Sequence, residues 1–299
     1  MKRALPSPPR TRPNKPAEVE TTLYAGSTAK PFLKWAGGKR RVLPLLLDKS
    51  PRKWARYHEP FIGGGALFFS IAAQKPRPEG WATISDQNER LVRTFTAVRD
   101  NVDVLIERLH EHAELHCKEY YYDVRAIDID HTDDVEVAAW LIYLNRTGFN
   151  GLYRVNKKGK FNVPIGRYKN PTICDEKNLH ACSAALKGVN INCEGFDAVL
   201  DRAGSRDFVY FDPPYVPASK TSSFTSYTAD GFGSHDQERL RDVARMLKQS
   251  DVQVMLSNSD VPRVRKLYTP GFRKHAIQVK RAISASAKNR GAVGELIIR

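Results

Sequence analysis

The chain has 299 residues, 41% hydrophobic and 10% aromatic, which is enough for a real core and for one large or two modest domains. No apolar run approaches the roughly 18 residues of a membrane span, and the N-terminus lacks the apolar stretch of a signal peptide, so a cytoplasmic protein is expected. Forty-eight basic against 33 acidic residues leave a net charge of +15, and residues 1–53 hold 13 of the basic and 3 of the acidic ones, which points to a polyanionic partner.

Residues 1–28 are rich in Pro, Lys, Arg, Ser and Thr with little apolar content. They predict a disordered basic arm, which either adds nonspecific DNA affinity or serves as a linker. Next come Phe32-Leu33-Lys34-Trp35-Ala36-Gly37-Gly38-Lys39 and then Val42, Leu43, Leu45, Leu46 and Leu47 at helical spacing. The glycines allow a close turn about a ligand, Trp35 supplies a flat wall and Lys39 a cation for a carboxylate. The spacing is not that of a P-loop.

Ala55–Phe61 reads as a strand, Ile62-Gly63-Gly64-Gly65 as a turn and Ala66–Ala73 as a buried helix. Strand, glycine turn and helix form the nucleotide cradle of a doubly wound sheet. The second strand, Trp81–Asp86, ends in an acid 23 residues beyond Gly63, where a ribose-binding carboxylate belongs. A helix over Asn88–Arg99 follows.

From about residue 89 the strand–helix rhythm breaks. Helical patterns occupy 102–113, 117–127 and 134–145. His112 and His116 have a spacing that could chelate a metal, but with no third ligand they read as a solvated helix face. Residues 144–169 interleave Arg, Lys, Asn and aromatic side chains, the mixture that reads base edges and grips phosphates. Asn156-Lys157-Lys158-Gly159-Lys160 predicts a hairpin turn, for which a plain solvated hairpin is the alternative. Cys117, Cys174, Cys182 and Cys193 have no ligand-like spacing and read as free buried thiols.

The sheet resumes at Val189–Cys193, with a short helix opening at Phe196. Asp207–Phe211 is a buried strand running into Asp212-Pro213-Pro214-Tyr215. An acid at the carboxyl end of a parallel strand sits where open α/β sheets bind ligands. Asp212 and the Pro213 carbonyl can each accept a hydrogen from a ring amino group, and Tyr215 can stack on the ring. Such a site suits a nucleobase drawn out of its helix; the plainer alternative is a turn that ends a strand. A Ser/Thr-rich loop from Val216 to Ser234 carries Lys220, Phe224 and Tyr227, long enough for a lid or a DNA contact. The helix His235–Lys248, the strand Val252–Leu256, the helix Val261–Tyr268 and a strand over Arg273–Val279 follow. A basic connection, Lys280–Arg290, leads to the last strand, Val293–Ile298.

Four segments in this order resemble the Dam family of DNA adenine-N6 methyltransferases (alpha group): Phe32–Lys39, Glu59–Gly65, Leu144–Gly151 and Asp212–Tyr215. The resemblance spans residues 31–299. It implies an α/β fold, a Rossmann-like sheet dependent on S-adenosylmethionine (SAM), with an inserted, mainly helical target-recognition domain carrying a β-hairpin. Residues 29–88 and 189–299 would form the catalytic, SAM-binding domain and 89–188 the recognition insert. The resemblance places Trp35, Lys39, Phe61, Gly63, Gly65, Asp86, Phe196 and Asp212 at the cofactor. Asp212, Pro213, Pro214 and Tyr215 would hold a flipped adenine. Lys34, Arg146, Phe149, Asn150, Arg154, Arg167 and Tyr168 would contact double-stranded DNA, with GATC as the implied target. Gly195-Phe196 departs from the Asp-Phe of many relatives. No metal, no membrane and no obligatory protein partner are expected, and the enzyme would sit on the nucleoid. RNA adenine methylation and a DNA-binding regulator without catalysis are the rival readings.

Overall fold

The computed structural model describes residues 29–74, 77–216, 232–280 and 292–299. The arm expected over 1–28, the loop with Lys220, Phe224 and Tyr227, and the basic connection from 281 to 290 lie outside the described residues.

Seven strands form one sheet: β1 (Tyr57–Pro60), β2 (Ala82–Asp86), β3 (Asn190–Cys193), β4 (Phe208–Phe211), β5 (Gln253–Ser259), β6 (Lys274–Lys280) and β7 (Ala292–Ile298). Their order is β3-β2-β1-β4-β5-β7-β6. The first five in that order run parallel, while β7 runs antiparallel to both β5 and β6. Connection order reverses between β1 and β4, which pair with Tyr57 opposite Phe208 and His58 opposite Val209. That reversal opens a crevice at the carboxyl ends of these two strands.

Both faces of the sheet are covered, and the strand period explains how. Phe208 and Tyr210 enter one core with Tyr57, Ala82 and Ile84. Val209 and Phe211 enter the other with Val254, Leu256, Leu296 and Ile298. The second core is closed by α8 (Ser234–Gln249) and α9 (Pro262–Leu267) through Leu240, Val243, Leu247, Val264 and Tyr268. Each fully buried Phe or Leu contributes about 1.5–3 kcal/mol, so short strands such as Phe208–Phe211 are held by packing on both faces.

The first core continues without a break into the helices between β2 and β3. These are α3 (Glu89–Asp100), α4 (Val102–Glu114), α5 (Lys118–Ala126), α6 (Asp134–Thr147) and α7 (Glu176–Leu186). At the centre lies α6, buried almost all round from Val137 to Leu144, as its unbroken apolar run requires. Asp133 caps it by accepting from the Glu136 amide. Helix α3 packs on β2 and β3 as well as on α6 and α7, so residue 89 marks no seam in the core.

Several sequence expectations change in detail. The hairpin at Asn156–Lys160 is a single antiparallel bridge, Val155 to Phe161, too short to count as strands. Helix α7 had not been anticipated. His112 and His116 are half-buried and packed on tyrosines: His112 stacks on Tyr143 at 4.7 Å and its Nδ1 lies 2.8 Å from the Tyr120 hydroxyl, while His116 Nδ1 lies 2.9 Å from the Tyr143 hydroxyl. Burial lowers the His112 imidazole to about 4. The four cysteines are free, but only Cys182 is buried; Cys117 and Cys193 are exposed, and Cys117 caps α5 by accepting from the Tyr120 amide. No helix among the described residues is long and apolar enough to cross a membrane.

Candidate active site

Strand β4 delivers Asp212 to the crevice. The Lys39 ammonium stands 2.8 Å from Asp212 Oδ1, donates to the Gly37 carbonyl at 2.6 Å and lies 4.6 Å from the centre of the Tyr215 ring. Oδ1 is sealed from solvent and meets Lys39 as a close charge partner, and a carboxylate keeps lone pairs for a ligand N–H. Burial raises the Asp212 carboxyl and Lys39 draws it back down.

Two further acids share this ammonium. Glu59, buried at the end of β1, accepts from the Tyr57 hydroxyl at 2.6 Å. Burial drives its carboxyl up to about 8, and the Asp212 charge pushes the same way. Glu295 on β7 accepts from the Tyr215 hydroxyl at 3.2 Å, and is raised by burial and, in part, by Asp212. Burial favours the protonated form of all three acids, and the Lys39 ammonium opposes it.

The Asp-Pro-Pro-Tyr turn is held from below. Gln237 of α8 donates to the Pro214 carbonyl at 2.9 Å. Asn258 of β5 donates to Gln237 Oε1 at 2.9 Å and accepts from the Val216 amide at 3.3 Å. Ser259 donates to the Val216 carbonyl at 2.8 Å. All three are buried, so the turn is fixed by groups that have no water to compete with.

On the β1 side, Asp86 holds the glycine turn: the Gly63 amide donates to Oδ2 at 3.3 Å and the Asn88 amide to Oδ1 at 3.0 Å. Gly63 has φ +47°, and a Cβ there would meet the Trp35 ring at 2.8 Å, so only glycine lets the indole lie on the turn. Gly65, at φ +67°, starts α2 (Ala66–Ala72). Phe61 also takes a positive φ, +71°, and its ring stacks on Phe196 at 5.4 Å, with Phe232 edge-on to both. Rings 5.4 Å apart leave no slot for a base between them, so only their free edges and outer faces are open to a ligand.

A second surface is built on Asn145. Its Oδ1 accepts from the Lys34 amide at 2.8 Å, and its Nδ2 donates to the carbonyls of Lys34 at 2.8 Å and Gly151 at 2.9 Å. Gly151, at φ +62°, abuts the Lys34 stem, where a Cβ would lie 2.5 Å away. The Lys34 ammonium sits 4.3 Å over the Tyr168 ring. Phe149, Asn150, Arg154, Arg167 and Tyr168 are all exposed. Asn162 anchors the Arg154 guanidinium, its side-chain oxygen accepting from Nε at 2.6 Å and its carbonyl from Nη2 at 3.1 Å. Arg146 differs: it is half-buried, its Nε has no partner, and burial lowers its pKa. Trp35 stacks on Tyr153 at 5.5 Å, joining this surface to the crevice.

The structure thus brings Lys39, Asp212 and Tyr215 into contact, links Gly63 to Asp86, and gathers Lys34 with Tyr168. Glu59, Glu295, Gln237, Asn258, Asn145 and Phe232 had been missed. Glu59 was legible: β1, β2 and β4 each carry an acid at or just past the carboxyl end, and only Asp86 and Asp212 had been singled out. Nothing local marks the other five.

The fold is a doubly wound sheet with a glycine turn after β1 and an acid–proline–proline–tyrosine turn after β4, both at its carboxyl edge. Residues 35–283 match the family described as D12 class N6 adenine-specific DNA methyltransferase. The Type II methyltransferase M1.LlaDCHI of Lactococcus lactis subsp. cremoris is 46% identical over 275 residues, covering 90% of this chain and 94% of that protein. The Type II methyltransferase M.MjaIII of Methanocaldococcus jannaschii is 43% identical over 286 residues, 90% and 98% of the two chains. The DNA adenine methylase of Escherichia coli is 33% identical over 268 residues, 89% and 93%. The chain belongs to this family of adenine-specific DNA methyltransferases.

Proposed function

We propose that the chain transfers a methyl group from SAM to N6 of adenine in duplex DNA, within GATC, after flipping the base out of the helix. The observation that carries this reading is the buried Asp212 carboxylate, paired with Lys39, next to Tyr215, an acceptor and an aromatic face suited to an aminopurine.

The residues present fit the cofactor. Asp212 and Glu59 near Lys39 suit a ligand end that carries an ammonium and a carboxylate, since a cationic ligand draws these raised acids towards their ionised form. Trp35, Lys39, Phe61, Gly63, Gly65, Asp86, Phe196 and Asp212 would hold it, with Lys39 on the carboxylate and Asp86 on the ribose. SAM supplies a methyl group on a positively charged sulfur, ready for direct in-line transfer without a covalent enzyme intermediate.

The chain's own work is on the amine. The adenine amino group is a poor nucleophile because its lone pair is spread into the ring. Asp212 and the Pro213 carbonyl accept its two hydrogens and favour a tetrahedral nitrogen. Pro214 stiffens the turn, and Tyr215 stacks on the ring for about 1–3 kcal/mol. Residues 89–188, with Lys34 beside them, would read the duplex: Phe149 as a wedge, Arg154 on a guanine edge, and Lys34, Arg146, Asn150, Arg167 and Tyr168 on further DNA groups.

The test is transfer of tritium from methyl-labelled SAM to three substrates: a GATC duplex, the same duplex with its site scrambled, and RNA containing GAUC. Label on adenine of the first alone supports the proposal. Equal label on the scrambled duplex removes the sequence assignment, and label on RNA alone removes the substrate.

A further inference from the structure

Glu295 lies in the middle of β7, its backbone register set by Ser259 of β5 on one side and Ile277 of β6 on the other. The residues after it, Leu296, Ile297 and Ile298, are buried and apolar. A half-buried acid in such a strand is costly unless its charge or its oxygen is used. Its one hydrogen-bond partner among the described residues is the Tyr215 hydroxyl, 80 positions away in sequence, at 3.2 Å.

Tyr215 follows two prolines that fix its backbone, but a ring on a Cα–Cβ bond still turns. The turn's backbone is pinned at the Pro214 carbonyl by Gln237 and at Val216 by Asn258 and Ser259. None of these touches the ring. At the far edge of the ring the hydroxyl donates to Glu295 and also neighbours Ser257, which is itself paired with the Tyr210 hydroxyl, while Lys39 lies over the ring face at 4.6 Å.

We infer that Glu295 is a positioning residue for methyl transfer, which holds the Tyr215 ring through its hydroxyl so that the ring face meets the target base. This rests on the reading of Tyr215 as the base-stacking side chain. The carboxylate touches neither base nor cofactor; it removes a rotation that would otherwise be frozen only when the base arrives. What the site needs from residue 295 is therefore an acceptor oxygen of the right reach, and not a negative charge.

The experiment measures kcat, the Kd for SAM, and fluorescence of 2-aminopurine placed at the target adenine, in E295A, E295Q, Y215F, Y215A and E295A/Y215F. E295A is expected to lower kcat about tenfold, to leave the SAM Kd within about threefold of wild type, and to brighten bound 2-aminopurine because the ring no longer quenches it. Y215F removes the same hydrogen bond from the other side together with the Ser257 contact, and should lose at least a similar factor, whether or not E295A folds. The double variant should match the singles, and E295Q, whose amide oxygen still accepts, should return most of kcat. If E295Q is as poor as E295A and SAM binding weakens in both, the role is one of charge and the inference fails. It also fails if Y215F keeps wild-type kcat, or if E295A and Y215F losses multiply. Wild-type kcat and fluorescence in Y215A would instead remove the stacking reading on which the inference stands.

Discussion

Asn258 Nδ2 donates to Gln237 Oε1 at 2.9 Å beneath the Asp-Pro-Pro-Tyr turn, joining β5 to α8 at the point where Gln237 meets the Pro214 carbonyl. Both side chains are buried. Replacing Asn258 by Ala leaves the Gln237 oxygen and the Val216 amide without partners, at about 1–3 kcal/mol each. N258A is expected to unfold at lower urea, and its folded fraction to lose kcat more than SAM affinity. Wild-type kcat in folded N258A would show that the turn holds its shape unaided.

The raised carboxyl of Glu59 gives the protein a pH signature. Its value of about 8 in the folded chain, against an ordinary 4.5, means that the native state binds this proton more tightly than the unfolded chain does. Stability from this group is present at low pH and is lost as pH rises from about 4.5 through about 8. Asp212 and Glu295, raised by burial in the same direction, add to the slope. Denaturation midpoints between about pH 6 and about pH 9 should fall in wild type and flatten in Glu59→Gln.

The same carboxyl links cofactor binding to protons. A cationic ligand beside Glu59 favours its ionised form, so SAM binding should release a proton near neutral pH and tighten as pH rises towards 8. Calorimetry in two buffers of different ionisation enthalpy reads the proton directly. Equal heats in both buffers, with an affinity that does not change with pH, would place the cofactor's charge elsewhere.

Asn145 makes three hydrogen bonds that tie the Lys34 backbone to the Gly151 turn. Asn145→Ala should cost about 2–4 kcal/mol of stability, since the buried groups it serves lose their partners. Because the tie sits between the residues proposed to read DNA, the variant should also discriminate less between a GATC duplex and a scrambled one. Competition between the two duplexes, measured on folded protein, checks this.

Arg154→Ala should relax base choice at one position by about 1–3 kcal/mol, whereas Lys→Ala changes in residues 1–28 should weaken all sequences alike and flatten the salt dependence. Uniform loss from Arg154→Ala would remove its role as a base reader.

Much of this arrangement was readable because its signals are local. The spacing of 23 between Gly63 and Asp86 pointed to a ribose carboxylate, and the structure shows that acid accepting from the Gly63 amide. The β4 strand ended where its prolines required. Helix α7 was also signalled, by the Asp175 cap and by Leu179, Cys182 and Leu186 at helical spacing, but the signal lay behind a long polar loop. Glu295 and Asn258 could not be found in this way, since each acts on a residue more than forty positions away and looks locally like part of an ordinary strand. His112 and His116 were misread for the same reason: Tyr143, which they pack against, belongs to α6.

The most direct measurement of the central claim is methyl transfer by Asp212→Ala at saturating SAM and GATC duplex, with SAM binding followed in parallel. If the Asp212 carboxylate is what receives the adenine amine, transfer should fall by about 10²-fold or more while the protein stays folded. Transfer within a few fold of wild type would contradict the account, because the amine would then be held by something other than Asp212.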